Sequence, residues 1–251
     1  KIYTGFRYNY RKEIHTKHKV EFAYYNNQVD AKIAELNPDY FLNSNTSQQF
    51  IAVNYEFTKD HRDIVSYPLK GYYLETEIEK LGTGIFKDVD LWNFYLTYRK
   101  YFHLKKRFYA AVGSWTEFYG FGKHHYADVR ALGYRAYVRG YEYYVIDGQY
   151  YFLAKGNLKF ELLPQKKAVF RQIPFEQFRT VPLSIFANLY ADYGYVIDNY
   201  YYQNNALANS SLLGVGVGLD FVSFYDRILR VEYTINKLGE KGLYLHFSIP
   251  I

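Results

Sequence analysis

Apolar and polar residues alternate with a period of two in one segment of this chain after another. No other feature restricts its fold as tightly. Trp92, Phe94, Leu96 and Tyr98 share one face of their segment, and Asn93, Tyr95, Thr97 and Arg99 share the other. Tyr72, Leu74 and Ile78 oppose Tyr73, Glu75, Glu77 and Glu79 in the same way. Ile51, Val53, Tyr55 and Phe57 oppose Ala52, Asn54, Glu56 and Thr58. Successive side chains of a strand point to opposite faces, so these segments read as β-strands. Phe108, Ala110 and Val112 mark another, and two more open the chain, near 1–11 and 18–27. Beyond a long central connection come five further segments, near 151–163, 183–195, 212–221, 228–236 and 243–249, for eleven in all.

A soluble β-sandwich also alternates, so length and the polar face decide. Sandwich strands run to about 5–6 residues, whereas these segments run to about 10, the length a tilted strand needs to cross a bilayer. Charges sit deep in mid-strand, as at Glu75, Glu77, Arg99, Glu161 and Asp192. A wet lumen tolerates them, and a dry inter-sheet core does not. The aromatic content, 32 Tyr and 20 Phe in 251 residues, suits a surface that is apolar at mid-height and wet at both rims. These features predict an all-β fold, a transmembrane antiparallel up-and-down β-barrel. No apolar run approaches the roughly 18 residues of a spanning helix. With no cysteine, disulfides and thiolate metal sites are excluded. The formal charge of +6 is scattered rather than clustered, so no nucleic-acid partner is expected.

Connections alternate in length, which fits the barrel. Long ones (30–47, 82–88, the central one, 197–211 and 237–242) face mostly tighter ones (13–17, 60–70, 105–107 and 223–226). The stretch Pro164–Pro182, with Pro164, Pro174, Pro182 and Lys166-Lys167, reads as a long connection on the nominally short side. An odd strand count and the lack of a Met or signal-like start lead to a further expectation. Residues 1–251 are the C-terminal portion of a single barrel domain whose N-terminal strands lie outside this sequence.

The central connection carries Tyr134-Arg135-Ala136-Tyr137-Val138-Arg139-Gly140-Tyr141-Glu142-Tyr143. Val138-Arg139-Gly140-Tyr141 resembles the Val/Ile-Arg-Gly-Tyr/Phe motif of the outer-membrane insertase superfamily, which includes BamA, TamA and the two-partner-secretion transporters. In that family the motif lies on a loop that folds back into the barrel and precedes five strands. An acidic residue on the first of these and an Asp-x-Gly on the second are similar to Glu161 and to Asp192-Tyr193-Gly194 here. Gly214-Val215-Gly216-Val217-Gly218 resembles the third-from-last strand of the family. Leu243, Leu245, Phe247 and Ile249 resemble its closing strand at the barrel seam, although the chain ends Pro250-Ile251 rather than in an aromatic. The resemblance implies 16 strands in full, about 11 of them here, with any periplasmic POTRA domains outside the sequence.

The residue types have a physical logic of their own. An arginine offers five donors in a rigid fork, which fits carboxylates two at a time. Alternation turns Glu161 and Asp192 inward on adjacent strands, and both are expected to accept from Arg139. Gly140 allows a turn without a Cβ clash. No catalytic signature is present, and the adjacent His124-His125 reads as a solvated loop pair rather than a metal site. Glu75, Glu77 and Glu79 read as a hydrated lumenal stripe. No cofactor, no metal and no enzymatic activity are expected.

The function that the resemblance implies is insertion or translocation of other proteins at the Gram-negative outer membrane. Its partners would be outer-membrane lipids and lipopolysaccharide, unfolded outer-membrane protein clients, and periplasmic or lipoprotein accessory subunits. The alternative is a dedicated secretion channel, or a membrane anchor for an attached patatin-like domain.

Overall fold

A computed structural model describes residues 1–120, 124–169, 180–223 and 227–247. Among them, eleven strands form one antiparallel sheet in strict sequence order. They are β1 (Ile2–Glu13), β2 (Thr16–Gln28), β3 (Ser47–Asp60), β4 (Gly71–Leu81), β5 (Leu91–Lys105) and β6 (Phe108–Tyr119), followed by β7 (Tyr150–Val169), β8 (Thr180–Ile197), β9 (Ser211–Val222), β10 (Ile228–Asn236) and β11 (Lys241–Phe247).

The sheet is apolar outside and polar inside. On β5, Trp92, Phe94, Leu96 and Tyr98 are exposed by 40–48%, while Tyr95 and Thr97 between them are exposed by 5% and 1%. On β9, Leu213, Val215, Val217 and Leu219 face outward, and on β10 Arg230, Glu232, Thr234 and Asn236 are buried. A soluble domain would bury the first set and expose the second. An outer face bathed in hydrocarbon around an enclosed polar space reverses the pattern. No described helix is long and apolar enough to cross a membrane, so any crossing falls to the strands.

Polar contacts across the enclosed space show that the sheet is strongly curled. Arg135 in the central loop reaches Glu75 and Glu77 on β4, and Tyr67 between β3 and β4 reaches Asp220 on β9. The sheet does not close on itself among the described residues: β1 pairs only with β2, and β11 only with β10.

Two features depart from the sequence-based expectation. The first is Pro164–Pro182, which is not a loose connection throughout. β7 runs on to Val169 and β8 starts at Thr180, with the ladder carried past two register shifts to Val169↔Thr180. Pro164 falls in the second shift, where a bulge leaves backbone groups outside the ladder, and Pro182 lies in the part of β8 that precedes its pairing with β9, which begins at Ser184. Pro174 lies outside the described residues. The second is that the 30–47 connection holds a short helix, α1 (Ala31–Leu36), whose first turn is capped when Lys32 N–H donates to the Asp30 side chain at 2.8 Å.

Candidate functional site

The central loop, between β6 and β7, folds into the enclosed space rather than away from it. Its anchor is an apolar cluster in which Val138, Tyr141, Leu132 and Ile146 of the loop pack on Leu153, Val196 and Leu212 of β7, β8 and β9. Burial of Val138, 1% exposed, places the next residue deep against the wall.

Arg139 is 2% exposed. Its Nε donates to Asp192 Oδ2 at 2.8 Å and its Nη2 to Asp192 Oδ1 at 2.5 Å, a fork-to-fork pair. Its backbone N–H also donates to Asp192 Oδ2, at 3.1 Å. The remaining guanidinium nitrogen donates to Glu232 Oε1 on β10 at 3.4 Å. The guanidinium lies 3.8 Å from the Tyr190 ring centroid, a cation–π contact. Lys155 on β7 approaches Asp192 to 3.7 Å and covers the Tyr137 ring at 4.4 Å.

Glycines on the wall make room for this approach. A Cβ at Gly194 would stand 2.5 Å from Val138 Cγ2, and one at Gly214 would collide with the Arg139 carbonyl. The Asp-x-Gly of β8 and the first glycine of the β9 row therefore form a bed on which the loop lies. Gly140 has φ +90°, and a Cβ there would meet Thr234 Cγ2 at 2.9 Å. Its carbonyl accepts from Asn236 Nδ2 at 2.8 Å.

Of the two carboxylates expected to hold Arg139, one does not. Glu161 and Asp192 both face inward, but Asp192 pairs in register with Lys155 and Glu161 with Phe186. Glu161 thus lies 161 − 155 = 6 residues further along β7, about 20 Å away at ~3.3 Å per residue. Adjacent strands and a common face do not bring two side chains together when the register separates them. Glu232 supplies the second carboxylate, with the alternation Arg230, Glu232, Thr234, Asn236 as its signal in the sequence.

Other lumenal groups are more engaged than their sequence context implied. Glu75 and Glu77 are not a hydrated stripe: Arg135 Nη2 donates to Glu75 Oε1 at 2.5 Å and Nη1 to Glu77 Oε2 at 2.8 Å. The loop is therefore braced to β4 as well as to β8 and β10. His125 is not solvated either, since it is 7% exposed with Nδ1 2.5 Å from Gln48 Oε1 and 3.0 Å from Asp128 Oδ2.

A second inward segment comes from the opposite end. Tyr67, in the connection 61–70, is 4% exposed and donates to Asp220 Oδ2 at 2.7 Å. Arg230 holds the same carboxylate with two donors, at 2.7 and 3.0 Å. Arg230 Nε also stands 3.8 Å from Glu232 Oε1, so the two networks meet on β10.

On β11, Leu243, Leu245 and Phe247 are exposed by 62–76% on the outer face, and Ile249 lies outside the described residues. Tyr244 and His246 face inward, where His246 Nε2 is 3.4 Å from Glu232 Oε2 and 3.9 Å from Glu142 Oε1. The latched loop and the last described strand thus share Glu232.

An apolar outer face, a polar concave one and a loop tied into it define the outer-membrane β-barrel class. Residues 2–248 match the model of the Omp85 superfamily domain, and the chain belongs to that superfamily. Among solved structures it is similar to the crystal structure of BamA from Haemophilus ducreyi lacking POTRA domains 1–3, with a TM-score of 0.63 and 11% identity. The match covers 98% of this chain and 53% of that one, so the chain spans about half the length of that structure's chain. At this identity the likeness concerns the fold. No curated protein matches the chain by sequence.

Proposed function

We propose that this chain works in the bacterial outer membrane as a barrel that assists insertion or translocation of other proteins, without enzymatic chemistry. The observation that carries the reading is the position of the latch. Arg139 ties the loop to β8 and β10, and Glu232 on β10 is shared with His246 on β11, next to the seam where the first and last strands of a barrel meet. Where such a seam opens, its strands offer a row of backbone donors and acceptors on which an incoming strand can form. Unfolded outer-membrane proteins are clients of that chemistry. The exposed apolar face of β11 keeps the nascent pair in contact with lipid, with lipopolysaccharide and phospholipid as the surrounding partners. Accessory periplasmic or lipoprotein subunits would deliver the clients.

A dedicated secretion channel, or a membrane anchor for an attached domain, would share this fold and latch and differs in what is lost when the protein is removed. Depleting the protein and then quantifying the other outer-membrane barrels tests the reading. A broad fall in their levels is expected. Unchanged levels, or the loss of a single secreted protein only, would refute it.

A further inference from the structure

The β5–β6 hairpin carries charge of one sign only. From Leu91 to Thr116 the sequence holds Arg99, Lys100, Lys105, Lys106 and Arg107 and no Asp or Glu. The last three are consecutive at the tip, where all are exposed and none is ion-paired among the described residues. Lys106 turns the chain with φ +53°. His103 braces the turn, with Nε2 2.8 Å from the Lys106 carbonyl oxygen and its ring stacked on Tyr109 at 4.9 Å. On the neighbouring β7, the Glu161 backbone N–H donates to the Arg107 carbonyl at 2.9 Å, while its side chain faces inward.

Apolar outer surface reaches right up to these cations. Phe102, Leu104 and Phe108 are exposed by 40–56% and Leu162 of β7 by 47%. The Phe108 and Phe160 rings pack 4.7 Å apart. Lys100 lies along the same face, its Nζ 5.3 Å from the Tyr72 centroid and 5.8 Å from that of Phe102. Long cationic side chains lie over apolar surface in this way at a hydrocarbon edge, with the charged head led toward water. A turn standing in bulk water would leave Leu104 and Phe108 wet. At a bilayer interface they enter hydrocarbon while the cations reach the headgroups. A soluble acidic partner would match the charge but not the apolar surface beside it, and lipid matches both.

Phosphate is available as phospholipid in one leaflet and as lipopolysaccharide in the other, and charge distribution separates them. The tip belongs to the short connections, which bacterial barrels place on the periplasmic side. At the opposite rim, outside the inward-folded central loop, the connections 29–46, 82–90, 198–210 and 237–240 hold seven Asp and Glu against three Lys. We propose that Lys105-Lys106-Arg107 docks the phosphate headgroups of anionic phospholipid in the periplasmic leaflet. The proposal rests on the outer-membrane reading of the barrel and is separate from the role proposed for the latch.

The chain has no cysteine, so Leu104→Cys gives a single point for a bimane fluorophore beside the tip. Phe94→Cys gives another near the far end of β5, where its partners in register are Ile78 and Phe118. Each full chain is reconstituted in mixed phosphatidylcholine and phosphatidylglycerol bilayers, with quenching brominated chains on one lipid or the other. Quenching by brominated phosphatidylcholine at both positions reports the bilayer contact itself, and its absence would refute that contact and the proposal with it. At position 104 phosphatidylglycerol is expected to be preferred about tenfold, against about twofold or less at position 94. Lys105→Gln/Lys106→Gln/Arg107→Gln, or about 0.5 M salt, should bring position 104 down to about twofold. Circular dichroism melts check that the triple variant is folded. Equal preference at the two positions, or an unchanged preference in the folded triple variant, would overturn the proposal. So would loss of the preference to inorganic phosphate at constant ionic strength, or displacement by lipopolysaccharide but not by unlabelled phosphatidylglycerol.

Discussion

Replacing Arg139 by alanine isolates the latch, because the side chain is 3% exposed and meets two carboxylates that are themselves 0% and 2% exposed. The substitution deletes both side-chain bonds to Asp192, the longer contact to Glu232 and the stacking on Tyr190. Breaking a buried ion pair by removing one partner costs roughly 3–5 kcal/mol, mostly from the charge left behind. Lys155, 3.7 Å from Asp192, takes over part of the neutralisation, which places the expected loss at the lower end, about 3 kcal/mol. At about 1.4 kcal/mol per decade, the loop should open roughly 100-fold more often.

Hydrogen exchange reads that opening directly, because amides protected by local structure exchange in proportion to the open population. The amides of Val138–Tyr141 should exchange roughly 100-fold faster in Arg139→Ala, while those of the β5–β6 ladder keep their rates. Arg139→Lys preserves charge without the planar fork and should fall between, about tenfold faster. If exchange in the loop changes by less than about threefold in Arg139→Ala, then the apolar cluster around Val138 holds the loop and the ion pair does not.

Gly140→Ala forces a Cβ into a left-handed backbone position, 2.9 Å from Thr234 Cγ2, and should destabilise the loop by about 1–2 kcal/mol. The same exchange measurement checks it. Gly214→Ala changes β9, not the loop, yet its Cβ would collide with the Arg139 carbonyl. Accelerated exchange at Arg139–Tyr141 with an intact β9–β10 ladder is therefore expected. Arg135→Ala removes the brace to Glu75 and Glu77, but this side chain is 44% exposed. Solvent-screened pairs are worth about 0.2–1 kcal/mol, so the effect should stay within roughly fivefold and be confined to residues near 135. Glu161→Gln should leave exchange across Val138–Tyr141 unchanged, and acceleration there would restore Glu161 as a latch acceptor.

The strands were legible because their signal is local. Alternation of Trp92, Phe94, Leu96 and Tyr98 with polar neighbours needs no partner to be read, and mid-strand charges such as Asp192 separate a lumen from a dry core. Register is a different kind of information. Whether Glu161 or Glu232 meets Arg139 depends on where each falls along its strand relative to a loop whose path is set by packing. Nothing local to Glu161 distinguishes it from an acid six positions away. Glu75 and Glu77 read as a hydrated stripe for the same reason: their partner Arg135 lies about 60 residues downstream, across the enclosed space, and only the curl of the sheet brings it near. His125 misled through composition, since a histidine pair in a polar loop is ordinarily solvated, and its burial against Gln48 is a tertiary fact.

The glycines of β8 and β9 connect these points. Glycine in a strand adds no packing and loses the most entropy on ordering. Here the cost has a return, since the absent side chains at Gly194, Gly214 and Gly216 each let a specific group close on the wall. The Arg139 backbone lies over Gly214, the Val138 side chain over Gly194, and the Tyr190 ring over Gly216. That close approach brings the guanidinium within reach of Asp192 and, through Glu232, of the network shared with His246 on β11. A wall with ordinary side chains at Gly194 and Gly214 would hold the loop further out, and the arginine could not bridge β8 and β10. The loop motif and the glycine rows are therefore two halves of one contact surface, which is why neither half explains itself in isolation.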